Sequence, residues 1–222
     1  MSTSINTFKN VTEYISNKVQ SGNSLTIPQF NELANVAQMT VFEKDRSIFV
    51  AKSEVSDYLK QFLVSKTYNS NSLFGELVLP DDLEHISSIR SYHIKGNGAG
   101  MEVPLSEVKN TDWGKVTSSS LFAATNRFPK YSEYDAYVKY LPVKLNNITV
   151  DYFRTPLAPE WAYTVVNGRP VYDATNSINF EWYEAAMNNV VAAFLQLVGV
   201  NLKDSELYNF TQSYKQETNV VL

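Results

Sequence analysis

Histidines and carboxylates are the residues of this chain that could do acid–base chemistry or bind a metal. Their positions in the sequence do not have the spacing that a metal site or a catalytic pair requires. The two histidines, His85 and His93, lie eight residues apart in a segment that has the pattern of a β-strand. At the usual rise of a strand they share one face but stand about 26 Å apart. Glu84 is adjacent to His85, but successive strand side chains point to opposite faces. We therefore expect no metal site, no cofactor and no catalytic histidine, and structural or solvent-facing roles for both residues.

The acidic and glycine-rich motifs lead to the same expectation. The pairs Asp81-Asp82 and Asp204 with Glu206 have neither the loop spacing of a calcium site nor the partner groups of a glycosidase, so turn and helix-cap roles explain them. The segment 96–100 lacks the Lys-Ser/Thr of a phosphate-binding loop, and no Gly-x-Ser-x-Gly elbow is present. The chain has no cysteine, which excludes disulfides and thiolate chemistry. These observations favour a protein that is not an enzyme.

Composition and charge indicate a folded protein without a strong electrostatic partner. With 44% hydrophobic against 19% charged residues among 222, the chain can bury enough apolar surface to fold. Its formal charge is −4 and its Lys and Arg are scattered singly, which disfavours tight binding to nucleic acid. The most apolar window, 185–200, is interrupted by Asn188 and Asn189 and is too short for a bilayer, and the N-terminus does not resemble a secretion signal. We expect no membrane association.

The N-terminal part predicts three short amphipathic helices. Apolar residues recur at three- and four-residue spacings over 5–21. Thr26 can cap a second helix that has Pro28 in its first turn. A third helix is predicted to begin at Ser53 and to run through Leu63. Three such helices joined by short links are typical of a small bundle.

The central part predicts strands. Apolar and polar residues alternate over Tyr134 to Tyr140 and again over Ile148 to Tyr152. The dipeptide Asn167-Gly168 lies between two β-prone runs and suits a type I′ turn, because both residues tolerate a positive φ. We predict a β-hairpin there.

The C-terminal part predicts two more helices. Asn179 is the expected cap of the longest helix, which Gly199 ends. Asp204 can cap one further helix to about Gln216. The fold class is therefore α+β, with an N-terminal helical bundle packed with a β-rich central part that includes a hairpin, followed by a long C-terminal helix.

We expect one body over residues 1–222. Within it, 1–66 form the helical bundle, 67–176 the β-rich part, and 177–222 the C-terminal helices and tail. No repeats and no clear linker divide the sequence.

The aromatic content has two explanations. The chain has 14 Tyr, 12 Phe and 3 Trp. An ordinary core with some surface tyrosines accounts for this number, and so does a protein–protein interface, where tyrosine is enriched. The tail favours an interface, because Val220, Val221 and Leu222 end the chain with apolar side chains that a neighbouring subunit could cover.

The second half of the chain has a strand-and-proline segment, Val150 to Trp161, punctuated by Pro156, Pro159 and Trp161 and followed by a hairpin. Ile178 to Trp182 then opens a long helix. In this order of segments the chain resembles the head-to-tail connector proteins of short-tailed bacteriophages, the tubular adaptor type. In detail the chain is most similar to the ring proteins of crAss-like phages.

The resemblance implies a structural virion protein of the neck or tail that needs no cofactor. It implies a homo-oligomeric ring of twelve copies, assembled in the cytoplasm of the bacterial host, that binds the portal protein and adjacent tail or ring proteins. DNA would pass through its channel without sequence-specific binding. The structural segment would include Tyr152, Pro156, Pro159 and Trp161, and the contact with the portal or a neighbouring ring would use Tyr214, Val220, Val221 and Leu222.

An alternative function is a carbohydrate-binding or host-surface attachment module. Trp113, Trp161 or Trp182 would supply its aromatic platform. Trp182 lies on a predicted buried helix face and Trp161 beside prolines, and both positions are awkward for a sugar platform.

Overall fold

The computed structural model describes residues 4–19, 25–52, 57–69, 74–94 and 100–201. In chain order the described helices are α1 (Ile5–Val19), α2 (Ile27–Lys52), α3 (Trp113–Ser118) and α4 (Glu184–Asn201). The described strands are β1 (Leu63–Tyr68), β2 (Glu76–Val78), β3 (Leu83–Ile94), β4 (Gly100–Pro104), β5 (Ser106–Glu107), β6 (Lys130–Glu133), β7 (Tyr137–Leu141), β8 (Asn146–Arg154), β9 (Tyr163–Val166) and β10 (Arg169–Tyr172). The predicted α+β class is confirmed.

The chain divides into two compact units. The helical unit joins the residues up to Gln61 to those from Pro156 onward, and the β-sandwich unit is the continuous segment Phe62–Thr155. These limits differ from the sequence-based limits at 66/67 and 176/177. The difference arises because β1 already begins at Leu63, and because the β9–β10 hairpin belongs to the helical unit.

Aromatic side chains form the core of the helical unit. The ring of Phe8 on α1 lies with its centroid 4.6 Å from that of Phe180 and 5.3 Å from that of Phe194 on α4. Phe30 on α2 is 6.1 Å from Phe8 and 5.3 Å from Phe194. All four side chains are buried, and tilted or edge-on contacts of this kind are favoured between aromatic rings. Phe8 therefore joins three parts of the unit that are distant in sequence.

The expected caps of the helices are right for α2 and wrong for α4. Thr26 is the N-cap residue of α2, as predicted: its carbonyl oxygen accepts the backbone N–H of Phe30 at 2.9 Å. Its own N–H and hydroxyl both donate to Oε1 of Gln29, at 3.1 and 2.8 Å, so the side chain of Gln29 completes the cap. Asn179 does not begin α4, which starts at Glu184. Its side chain instead accepts the backbone N–H of Ile5 at 3.0 Å and so caps α1.

Replacing Asn179 with alanine is expected to destabilise the helical unit by roughly 1 kcal/mol, because the first turn of α1 loses a side-chain acceptor. Urea unfolding followed by far-UV circular dichroism measures the loss. Asn179→Asp is the matched control, since it keeps an acceptor and adds negative charge at a helix N-terminus. An equal loss in both variants would contradict the capping role.

Two four-stranded sheets form the described part of the β-sandwich unit. Their strand orders are β1-β8-β3-β4 and β2-β7-β6-β5. Ile89, Ile148 and Val150 of the first sheet and Val138 and Tyr140 of the second are buried in one apolar cluster. The sheets therefore pack face to face, and the alternation predicted for 148–152 is the alternation between this core and the outer face.

Strand β3 departs from a strict two-residue apolar period because its pairing contains irregularities. Its pairing with β8 shifts register between Ile86 and Ser88 and again between Ser91 and Tyr92. Ile86 and Ile89, three residues apart, are consequently both buried in the core. A bulge inserts one residue and so breaks the two-residue period of a strand.

The predicted third helix is wrong. The described residues from Leu59 to Phe62 form one 3-10 turn, and the chain continues as strand β1, whose six residues all pair with β8. The spacing of Leu59, Phe62 and Leu63 fits a helix, but Val64, Thr67 and Tyr68 prefer strands, and pairing with β8 decides the outcome. The proposed start at Ser53 lies outside the described residues.

The predicted strand at Tyr134 is also shifted. The chain turns over Tyr134 to Ala136, and the two strands on either side are β6 and β7. Residues 130–133, just before the predicted strand, form β6. The hairpin of β9 and β10 is confirmed with the expected two-residue turn. The predicted helix from Asp204 and most of the glycine-rich segment 96–100 lie outside the described residues.

Candidate functional site

The segment that carries the resemblance divides between the two units. Tyr152 is buried in β8 of the β-sandwich unit, and its hydroxyl donates to Oδ1 of Asp82 at 3.2 Å. Pro156, Pro159 and Trp161 belong to the helical unit, where all three are buried. The contact residues expected in the tail, Tyr214 and Val220 to Leu222, lie outside the described residues.

Trp161 is fixed by three contacts of its own backbone and indole. Its indole N–H donates to Oδ1 of Asn6 at 3.1 Å, and its backbone N–H donates to Oδ1 of Asn31 at 2.9 Å. The ammonium group of Lys9 lies over the indole ring, 4.8 Å from its centroid. Trp161 thereby joins α1, α2 and the segment that leads into β9.

Among the described residues, the contacts that support the β9–β10 hairpin lie at its base. The indole of Trp161 stacks on Tyr163, and it packs at a tilt against Tyr172, with centroid distances of 6.1 and 5.5 Å. Beyond this contact every residue of the hairpin is exposed, including Val165 at 67% and Val166 at 50%. An isolated two-stranded hairpin is marginal in water, and this one exposes apolar residues on both of its faces. Exposed apolar surface of this kind makes the hairpin a candidate interaction site.

The two free edges of the hairpin differ chemically. The turn residues Asn167 and Gly168 both have positive φ, 51° and 76°, so Val166 and Arg169 form the hydrogen-bonded pair next to the turn. Alternation of pair types along an antiparallel ladder then turns the polar backbone groups of Val165 and Pro170 outward.

A second ladder contact agrees with this alternation. The backbone N–H of Asp173 donates to the carbonyl oxygen of Ala162 at 3.0 Å, which makes 162 and 173 a hydrogen-bonded pair. If pair types alternate from this pair toward the turn, Tyr163 and Val165 belong to non-hydrogen-bonded pairs. Their N–H and C=O groups therefore point away from β10. The centre of the β10 edge has Pro170, which has no N–H, so only the β9 edge offers a regular row of donors and acceptors.

The β-sandwich unit has its own exposed apolar surface in the loop 119–129. Leu121 is 90% exposed and Phe128 65%, and Phe122 is exposed beside them. The loop is held by reciprocal backbone hydrogen bonds between Thr125 and Phe128, and by the ammonium of Lys130, which donates to the carbonyl oxygen of Phe122 at 2.7 Å. The apolar side chains are therefore presented by an ordered loop. The sequence reading missed this surface, although the Leu-Phe pair in a polar stretch was its signal.

The outer face of the first sheet has the strongest charge network among the described residues of the β-sandwich unit. Arg90 donates to both carboxylate oxygens of Asp151, at 2.7 and 3.3 Å, and also pairs with Glu102 at 3.3 Å. Ser88 donates to the same carboxylate at 2.7 Å. A groove of about 280 Å³ beside them is lined by residues of β1, β3, β4 and β8. Since Arg90 engages both carboxylates, the network ties β3, β4 and β8 together.

The described structure also gives the positions of the histidines and tryptophans considered above. No three His, Asp or Glu side chains in this part of the chain lie close enough to hold a metal ion. His85 and His93 both lie on β3, as predicted, and both are half-buried. Of the three tryptophans, Trp161 and Trp182 are buried, so two of the three proposed sugar platforms are inaccessible in the described structure.

Tyrosine hydroxyls are the titratable groups that the β-sandwich core perturbs most. Burial raises the pKa of Tyr152 to about 12, and the carboxylate of Asp82 adds to the shift. Burial also raises the pKa of Tyr131, with Glu107 and Glu133 adding to it, and burial alone raises that of Tyr140. Each of these phenols holds its proton more tightly in the folded state.

We therefore expect alkaline unfolding of the β-sandwich unit. Stability is fully present below the unfolded pKa of about 10, and it falls as pH rises towards the folded value of about 12. Urea midpoints measured between pH 8 and pH 12 check this. Tyr152→Phe is the comparison: the advantage of the wild type at pH 8, which includes the hydrogen bond to Asp82, should shrink across this range. A difference that is constant with pH would contradict the role of Tyr152.

None of the described helices is long and apolar enough to cross a membrane. No known family model matches the chain, and no curated protein matches it significantly.

Proposed function

We propose that this chain is a structural subunit of a bacteriophage virion, a ring or adaptor protein that joins the portal to the tail and continues the DNA channel. The observation that carries the oligomeric part is the exposure of apolar side chains on the β9–β10 hairpin and on the loop 119–129. The resemblance of the strand-and-proline segment to connector proteins carries the virion part.

The two surfaces suit a ring because each compact unit has one. The hairpin extends from the helical unit with Val165 and Val166 exposed, and the loop of the β-sandwich unit exposes Leu121 and Phe128. A closed ring of identical subunits needs two different patches on each copy, since its contacts are heterologous. Two separate apolar patches meet this requirement.

The charge pattern supports a channel through which DNA slides. The chain has 19 basic and 23 acidic residues, and the basic ones are scattered. A protein that grips phosphates concentrates Lys and Arg on one face and becomes strongly salt-dependent. The proposed conduit needs the opposite property, because a wall that binds DNA would retard its passage.

Mass photometry and negative-stain electron microscopy of the purified full chain test the oligomeric part. We expect closed annuli of about twelve copies that form more completely as protein concentration rises. Phe128→Ser should reduce the assembled fraction, and Asn126→Ser in the same exposed loop should leave it unchanged. A chain that stays monomeric at all concentrations contradicts the proposal.

The virion part is tested with the portal ring encoded in the same genome. Mixed with the assembled chain, it should form coaxial particles visible in class averages. If annuli form but never bind a portal, the virion part of the proposal is wrong and the chain is a ring-forming protein with another role. A glycan array with strong binding would favour the carbohydrate-binding alternative instead.

A further inference from the structure

The two edges of the hairpin differ: the β9 edge has unpaired main-chain donors and acceptors, and the β10 edge is interrupted by Pro170. Val165 and Tyr163 turn their N–H and C=O groups away from β10, and no other described strand lies beside them. Proteins commonly cover such edges or interrupt them with charge or proline, because an open edge recruits another strand. This chain interrupts the β10 edge with Pro170 and leaves the β9 edge regular.

We propose that β9 is a docking strand that pairs with an extended segment of a second copy of this chain. The inference rests on the proposed function and adds its mechanism: neighbouring subunits join by strand addition at the β9 edge, in one direction only. Main-chain hydrogen bonds would hold the added strand, and the exposed valines beside it would be covered. The hairpin, marginal on its own, would become part of a three-stranded sheet.

A second copy is the occupant that the asymmetry and the charge favour. An open edge and a blocked edge on one hairpin allow a single added strand, and heterologous ring contacts use each such surface once per subunit. Arg169 is the single charged residue between Tyr163 and Tyr172, so the hairpin is basic, whereas the chain as a whole has a net charge of −4. The hairpin of one copy is thus complementary in charge to the average surface of another.

Val165→Pro tests the proposal at one main-chain donor, the backbone N–H of residue 165. It removes the outward N–H of the β9 edge without touching a hydrogen bond between β9 and β10, because Val165 belongs to an outward-facing pair. We expect the dissociation constant between subunits to rise at least about tenfold, measured by mass photometry and sedimentation, since a main-chain hydrogen bond is lost and the added strand meets a proline ring. Val165→Thr is the matched control: it keeps the N–H and the branched shape, and its assembly should stay close to that of the wild type.

Pro170→Val gives the opposite change and does not depend on Val165→Pro folding well. It restores an outward N–H on β10 and opens the second edge, so we expect larger, open-ended or aggregated assemblies in place of closed annuli. A size distribution identical to that of the wild type would count against the proposal.

Crosslinking separates directional from two-fold pairing. The chain has no cysteine, so Val165→Cys reports its own surroundings. Oxidised chains linked as dimers through this residue would mean that two β9 strands pair with each other, which overturns the one-directional contact. If the wild type forms annuli and Val165→Pro forms them equally well, the strand-addition mechanism is wrong while the proposed function stands. If the wild type never assembles, both are wrong.

Discussion

Replacing Phe8 with alanine should cost the helical unit about 3–5 kcal/mol of unfolding free energy, the range typical of a buried phenylalanine. The phenyl ring contacts Phe30, Phe180 and Phe194 at once, so its removal leaves a cavity where α1, α2, α4 and the segment before α4 meet. The surrounding rings belong to different elements and cannot all move in to fill it.

Urea unfolding followed by tryptophan fluorescence measures this loss, because Trp161 and Trp182 both lie in the helical unit and are buried there. Val11→Ala is the control on the same helix: Val11 is exposed, and its truncation should change the unfolding free energy by less than about 0.5 kcal/mol. Similar losses for Phe8→Ala and Val11→Ala would show that the aromatic cluster does not hold the unit together.

Trp161→Ala is expected to have an effect of comparable size, about 3–5 kcal/mol, with a second consequence for assembly. The change removes the indole between Lys9 and the two tyrosines at the base of the hairpin, and it leaves the side-chain amide of Asn6 without its donor. The hairpin then loses its support in the described structure. We expect weaker assembly as well as lower stability.

Trp113→Ala is the matched tryptophan control, because Trp113 is only partly buried at the start of α3 in the β-sandwich unit. Trp161→Phe should recover part of the stability, since a smaller ring still packs against Tyr163 and Tyr172. If Trp161→Ala assembles as well as the wild type while the helical unit is destabilised, the indole is a core residue and not the anchor of a docking hairpin.

Local rules predicted the elements whose cause is local. The hairpin depends on Asn167 and Gly168, which accept the positive φ that its turn requires, and Thr26 caps α2 through its immediate neighbours. The alternation over 148–152 gave the buried face of β8 because that strand has a core on one side. In each case the sequence within a few residues contains the whole signal.

Elements decided by distant partners were not predictable in the same way. Asn179 was expected to cap the helix that follows it, but its acceptor serves Ile5 at the other end of the chain. The helix predicted to run through Leu63 gives way at that residue to strand β1, because β1 pairs with β8. Tertiary contacts override local preference in both places.

The candidate docking surface was predicted in part. The hairpin and its valines were predictable, but the exposure of those valines was not, since burial depends on what packs against a strand. Pro170 is evident in the sequence, but its effect on the β10 edge is not. Only the pairing register shows that its nitrogen points outward. The exposed loop around Leu121 and Phe128 was missed because a short apolar pair has no period.

The division of the chain into units has a consequence for the order of folding during synthesis. The β-sandwich unit is one uninterrupted stretch, Phe62–Thr155, inserted between the two halves of the helical unit. On the ribosome it can close its core while Phe8 still lacks Phe180 and Phe194, which have not been made. The aromatic core of the helical unit, by contrast, can close only after Phe194 on α4 has been made.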